Sequence, residues 1–209
     1  QDPLAAGADE PIVGIPRRQA FPYGEWTGFR SFEDHEAARA EIARLDAVGT
    51  VRARRDLETD DAWKQPIPYA VAVYRDPLTR VASLFWMDRL AGTSDRRLHG
   101  RASFGVGGHV GGQDGGILGA LRREWLEEVD TPSLPRFEPL GLLNDDSDAV
   151  GRVHLGIVFL AVLPVPQIAI RERTKLSGRL VPVAEAVARS NELEGWSARL
   201  IEVIAAVAP

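Results

Sequence analysis

Arg123-Glu124-Trp125-Leu126-Glu127-Glu128 follows closely on a glycine-rich run, Gly105-Val106-Gly107-Gly108-His109-Val110-Gly111-Gly112, and these two stretches decide how the chain is read. On a helix of about 3.6 residues per turn, positions 124, 127 and 128 fall within an arc of roughly 100°. Three carboxylates so close together repel one another unless a cation sits among them. One arginine cannot neutralise them all. Hard oxygen ligands crowded on one helix face suit Mg²⁺ or Mn²⁺, ions that are commonly shared with substrate phosphates. Such acidic helices also occur as plain solvated surface. The glycine run adds weight to the metal reading, because a glycine backbone can approach a ligand or an ion closely.

Working outward, the chain has 209 residues, enough for one domain or one domain with a sizeable extension. Its 44% hydrophobic and 26% charged content is ordinary for a globular protein. A net charge of -5 with no basic stripe argues against a nucleic-acid backbone as partner. There are no cysteines, which excludes disulfides, thiolate zinc sites and cysteine nucleophiles. No apolar run approaches the roughly 20 residues that span a bilayer, so no membrane partner is expected. Gln1-Asp2-Pro3-Leu4 is not a basic-then-apolar secretion signal, and a cytoplasmic location follows by default.

Strand and helix signals alternate along the chain. Ile12 to Ile15 reads as a short strand ended by Pro16, and Ala37 to Leu45 as a helix capped by Ser31 or Asp34 and stopped near Gly49. Val51 to Leu57 is short, basic and unassigned. Tyr69 to Tyr74 reads as a buried strand, Asp76-Pro77 as a turn, and Arg80 to Trp86 as the returning strand. Ile117 to Val129 is a helix whose apolar stripe is expected at Leu118, Leu121, Trp125 and Val129. Leu140 to Leu143, Val153 to Leu163 and Ile168 to Ile170 read as strands, the second central and ended by Pro164. Ala184 to Ser190 and Glu194 to Ala206 read as helices, the last using Trp196, Leu200, Val203 and Val207. This interleaving argues for an α/β or α+β sandwich.

The glycine loop and acidic helix together resemble the Nudix hydrolase box: Gly, five residues, Glu, seven residues, then Arg-Glu-apolar-x-Glu-Glu-x-Gly-apolar. Arg123 to Val129 matches its second half directly. In the first half, counting forward from Gly108 puts the box glutamate on Asp114, with one surplus residue before Arg123. The closing Gly-apolar pair is replaced by Asp130-Thr131, where glycine would favour a left-handed helix cap. Gly105 to His109 and Gly141 to Asp146 are similar to a branch of predicted Nudix phosphoesterases. The resemblance implies a Nudix-like α/β/α sandwich with a mixed central sheet over residues 66–209, and an N-terminal α/β extension over 1–65 packed on it.

It further implies a pyrophosphohydrolase that cleaves a diphosphate bond in a nucleotide-like small molecule by metal-activated water. Glu124, Glu127 and Glu128 would hold Mg²⁺ or Mn²⁺ with the carbonyl of Gly107, and Arg123 would pair with a carboxylate and orient it. Asp114, in place of the box glutamate, would be structural or peripheral to the metal. His109 abuts the loop: it is either a donor to phosphate or a loop histidine bonded to backbone. His154, inside an apolar strand, fits a satisfied core histidine better than a ligand. Asn144-Asp145-Asp146-Ser147-Asp148 is not a calcium loop, since Ala149 and Leu155 occupy the positions needing Gly and Glu. Asp145 and Asp146 are either a polar turn or the source of a base outside the box, with Glu172 and Glu185 as rivals. The alternative function is a Nudix-fold binding or regulatory module without turnover. An isopentenyl-diphosphate isomerase is disfavoured, because that chemistry generally uses a cysteine. A homodimer is plausible, with residues 1–65 packing on a partner.

Overall fold

The computed structural model describes residues 9–90, 101–174 and 176–208. In chain order the elements are β1 (Pro11–Pro16), α1 (Arg17–Ala20), β2 (Gly28–Ser31), α2 (His35–Val48), β3 (Thr50–Ala53), α3 (Arg54–Leu57), β4 (Trp63–Arg75), β5 (Ala82–Arg89), β6 (Ala102–Ser103), β7 (Gly105–Gly107), α4 (Ile117–Glu128), β8 (Val129–Asp130), β9 (Arg136–Asn144), α5 (Ala149–Val153), β10 (His154–Val162), β11 (Ala169–Ile170), β12 (Leu176–Pro182), α6 (Val183–Ala188) and α7 (Gly195–Val207). The fold is mixed α/β on a large sheet, as the interleaved signals predict. Residues 1–8 and His99 lie outside the described residues. Among the described residues no helix is long and apolar enough to cross a membrane.

The chain divides into two compact units, Gln1–Tyr69 with Gly107–Arg123 and Pro139–Val158, and Ala70–Val106 with Glu124–Glu138 and Phe159–Pro209. Within the first, β1 pairs antiparallel with β3 from Pro11↔Ala53 to Gly14↔Thr50, and β2 pairs with β9 from Gly28↔Asn144 to Ser31↔Gly141. Asp34 caps α2, accepting from the backbone N–H groups of Glu36 and Ala37 at 2.9 and 2.8 Å. Such a cap contributes about 1 kcal/mol. Ser31 belongs instead to β2. The unassigned basic run becomes β3 and α3, with Arg54 paired to Glu58 and Arg52 lying over the Trp63 ring.

Within the second unit β5 pairs with β4 and, over Ser83–Arg89, with the whole of β12. The turn between β4 and β5 is built by Asp76, whose Oδ1 accepts from Leu78 N, Thr79 N and Thr79 Oγ1. Arg80 sits in that turn at φ 63° rather than in the returning strand, which starts at Ala82. Strand β12 has no counterpart in the sequence reading. Lys-Leu-Ser-Gly-Arg-Leu lacks a clean alternation, and Gly178 in its middle is a poor strand residue. It is admitted because the Phe85 ring lies where a side chain at 178 would go, at 2.2 Å from an ideal Cβ.

Two helical stripes differ from expectation. On α4 the buried side chains are Ile117, Ala120, Leu121 and Trp125, while Leu118 is 47% exposed. Both stripes share Leu121 and Trp125; the burial centres on the 117–121–125 row. On α7 the buried face is Ser197, Leu200, Ile201 and Ile204, and Val207 is exposed. That helix is apolar nearly all round, and the N–H of Phe104, donating to Ser197 Oγ at 3.0 Å, selects the face.

Lys64 is the largest buried polar side chain of the first unit, with no exposed side-chain surface. Its Nζ donates to Asp146 Oδ1 at 2.7 Å, to Gly151 O at 2.9 Å and to His154 O at 3.1 Å. Arg17 also donates to Asp146, to Glu25 through two bonds and to Arg152 O. Burial lowers the Lys64 pKa, and the Asp146 contact opposes that shift. A buried charge is tolerated only when paired, so removing one partner costs far more than the pair contributes. Lys64→Ala is expected to lower the unfolding free energy by about 3 kcal/mol in urea denaturation.

Candidate active site

Strand β7 delivers Gly107 against β4. An ideal Cβ at 107 would stand 2.1 Å from Pro68 O and 3.2 Å from Tyr69 Cα, so only glycine lets the two backbones lie this close. The chain then runs through residues 108–116 into α4. Asp114 Oδ2 accepts from Gly111 N at 2.6 Å, and Arg123 reaches back along the helix. Arg123 Nε donates to Asp114 Oδ1 at 2.7 Å, and one terminal nitrogen donates to Asp114 Oδ2 and to His109 O, both at 2.9 Å. The Arg123 bonds hold the Asp114 carboxyl below the usual carboxylate range. The carboxylate that pairs with the box arginine is therefore the one read from sequence as a replacement for glutamate.

Glu124, Glu127 and Glu128 lie on the last turns of α4, the first and third half-buried and Glu127 exposed. Burial, reinforced by the charges of Glu124 and Glu127, pushes the Glu128 carboxyl up to about 7. The acids crowd electrostatically, as their spacing predicts. Among the described residues no group of three or more His, Asp or Glu side chains is placed so that it could hold a metal ion. The three acids form a row along one helix. The helix exit needs no left-handed cap. Asp130 lies in β8, paired with Ala169 of β11, and Arg171 N donates to Glu128 O at 2.8 Å. Arg80 is the one described non-glycine residue with positive φ.

His109 and His154 face each other, Nε2 to Nε2 at 3.1 Å. His154 Nδ1–H donates to Val150 O at 2.6 Å, which leaves its Nε2 to accept from His109 Nε2–H. Burial, with His154 beside it, depresses the His109 pKa to about 4, so the ring is neutral near pH 7. His109 is thus bonded to a second histidine rather than to backbone. His154 is satisfied, although it opens β10 half-buried rather than sitting deep inside it. Asp146 is engaged by Lys64 and Arg17, and those bonds and charges outweigh burial to keep its carboxyl low. Asp145 is 8% exposed, with Oδ1 accepting from Ser147 N at 3.2 Å. Glu172 accepts from Thr174, and Glu185 from Arg189. A cleft of about 460 Å³ in the second unit is lined by Asp130, Thr131, Pro132 and residues 166–169, and none of the α4 acids lines it.

With this geometry, comparison with known proteins becomes informative. No family model matches the chain. Protein YmaB of Bacillus subtilis is 33% identical over 208 residues, covering 94% of this chain and 98% of that protein. The crystal structure of Tm1382, a candidate Nudix hydrolase, shares 29% identity at a TM-score of 0.78, covering 95% of this chain and all of that one. The chain belongs to the Nudix superfamily. A mutT/nudix family protein from Listeria innocua is more distant, at 16% identity and a TM-score of 0.49 over 68% of this chain.

The Glu128 shift sets a pH dependence. A carboxyl whose folded pKa is raised from 4.5 to about 7 stabilises the fold below its unfolded pKa, and that contribution is lost as pH rises through 7. In chelator, the thermal midpoint of the wild type is expected to fall between pH 5 and pH 8. In Glu128→Gln that component of the fall disappears.

Proposed function

We propose that the protein is a divalent-metal-dependent hydrolase of a diphosphate linkage in a nucleotide-like small molecule. The observation that carries the reading is the row of Glu124, Glu127 and Glu128 on the last turns of the Nudix helix, where burial, reinforced by the neighbouring charges, pushes the Glu128 carboxyl up to about 7. A bound cation would relieve carboxylates crowded in this way. Glu124, Glu127 and Glu128, with the Gly107 carbonyl, are the groups that would hold it. Bound there, Mg²⁺ or Mn²⁺ would neutralise a diphosphate and lower the pKa of a water.

The remaining work falls to the chain. Arg123 fixes Asp114 and the His109 carbonyl, and so shapes the loop that follows Gly107. His109 is neutral and its one N–H is given to His154, so it would shape the loop rather than donate to phosphate. Water attacks phosphorus, the bond to the bridging oxygen breaks, and the water proton passes to a carboxylate. For that base outside the helix Asp145 and Asp146 are the candidates, Asp146 being bonded to Lys64 and Arg17 and Asp145 to Ser147 N.

Phosphate release measured over nucleoside di- and triphosphates, sugar nucleotides and dinucleoside polyphosphates, with Mg²⁺ and with Mn²⁺, is expected to find a substrate. Glu128→Gln should lower its turnover at least about 100-fold. Turnover unchanged by that substitution would sink the site assignment. Binding without turnover across the whole set would favour a ligand-binding module.

A further inference from the structure

Residues 11–53 touch the Gly107 loop and the start of α4 at several points. Val13 N donates to Val110 O at 2.8 Å, Gly112 N donates to Pro11 O at 3.1 Å, and Ile12 bridges to Gly111. Val51 covers Gly112, its Cγ1 lying 3.2 Å from an ideal Cβ there. In the last turn of α2, Asp46 Oδ1 accepts from Ile117 N at 2.9 Å, at the first residue of α4. Room for that carboxylate comes from Gly116, at φ 108°, where a Cβ would meet Asp46 Oδ2 at 2.7 Å.

A helix start leaves its first N–H groups without partners, and an adjacent Asp, Ser or Thr usually serves them. Asp114, the nearest local acid, faces Arg123 and Gly111 N instead. The carboxylate at the start of α4 comes from 71 residues upstream. Beyond satisfying a donor and meeting the positive end of the helix dipole, such a cap ties α4 to a second, well-packed helix, since Ala38, Ile42 and Leu45 of α2 are buried.

We propose that Asp46 is a positioning residue for the reaction. With β1 it clamps residues 107–116 and fixes where α4 begins, and hence the axial place and rotation of Glu124, Glu127 and Glu128 along that helix. This rests on the metal-dependent reading of those acids. Residues 11–53 are then part of the catalytic frame rather than an accessory.

The test compares Asp46→Ala, Asp46→Asn and Glu128→Gln in the full chain. The readouts are Mn²⁺ affinity by electron paramagnetic resonance, amide hydrogen exchange, and turnover of whichever substrate the phosphate-release screen identifies. Asp46→Ala is expected to weaken Mn²⁺ binding and lower kcat by about tenfold each with KM within about twofold, and to speed exchange at Ile117 and Gly112. Asp46→Asn keeps the Oδ1 acceptor and should recover most of both. Unchanged exchange at Ile117 and unchanged Mn²⁺ affinity in Asp46→Ala would overturn the proposal, as would an Asn variant as impaired as the Ala variant. Should Asp46→Ala not fold, the Asn variant with near-wild-type exchange and affinity supports the clamp, and one with fast exchange at Ile117 overturns it. If Glu128→Gln leaves metal affinity and turnover intact, the metal assignment fails, while the exchange data still decide the clamp.

Discussion

The fork between Arg123 and Asp114 is the contact on which the candidate site depends. Two guanidinium nitrogens and one backbone N–H converge on a single carboxylate, a charge-assisted arrangement roughly twice as strong per bond as a neutral one. It folds residues 109–114 back onto α4 and leaves the same guanidinium bonded to the His109 carbonyl. A glutamate in this role would reach one methylene further. Here the shorter aspartate is brought close instead: Asp114 O packs on α4 at Gly119, 1.7 Å from where a Cβ would be.

A second set of charges holds the other candidate acids. Lys64 bonds to the carbonyls at 151 and 154 and to Asp146, so it ties together the turn before α5, the middle of α5 and the start of β10. Through His154 the same segment meets His109 beside the glycine loop. Asn144, at the end of β9, donates to Trp26 O, which brings the 24–28 turn against the Asp145–Asp146 corner. The polar tract 144–148 is therefore held on several sides by cations and backbone, well beyond what a solvated turn would need.

Much of the frame was legible because it is carried by local periodicity and turn chemistry. The Asp34 cap, the Asp76 turn, α4 and the apolar β10 each depend on residues close in sequence. The acidic row was legible for the same reason, since helix spacing alone brings positions 124, 127 and 128 together. What escaped depends on distant partners. Nothing near Lys64 announces that it will be buried, because Asp146 lies 82 residues away. Asp46 carries no local signal either, because Ile117 lies 71 residues away. Strand β12 is specified by β5 and the Phe85 ring rather than by its own alternation. The left-handed exit expected at Asp130 came from the family pattern and was replaced by strand pairing, a choice made by β11.

The distance between Asp46 and Ile117 also bears on when the first turn of α4 is secured. A helix capped by its own neighbouring residue keeps its first turn even when the rest of the chain loosens. This one receives the Asp46 carboxylate only when a 71-residue segment has closed on itself, and that closure carries an entropy cost which local caps avoid. The first turn of α4 therefore gains its support together with the tertiary structure and loses it with the same event.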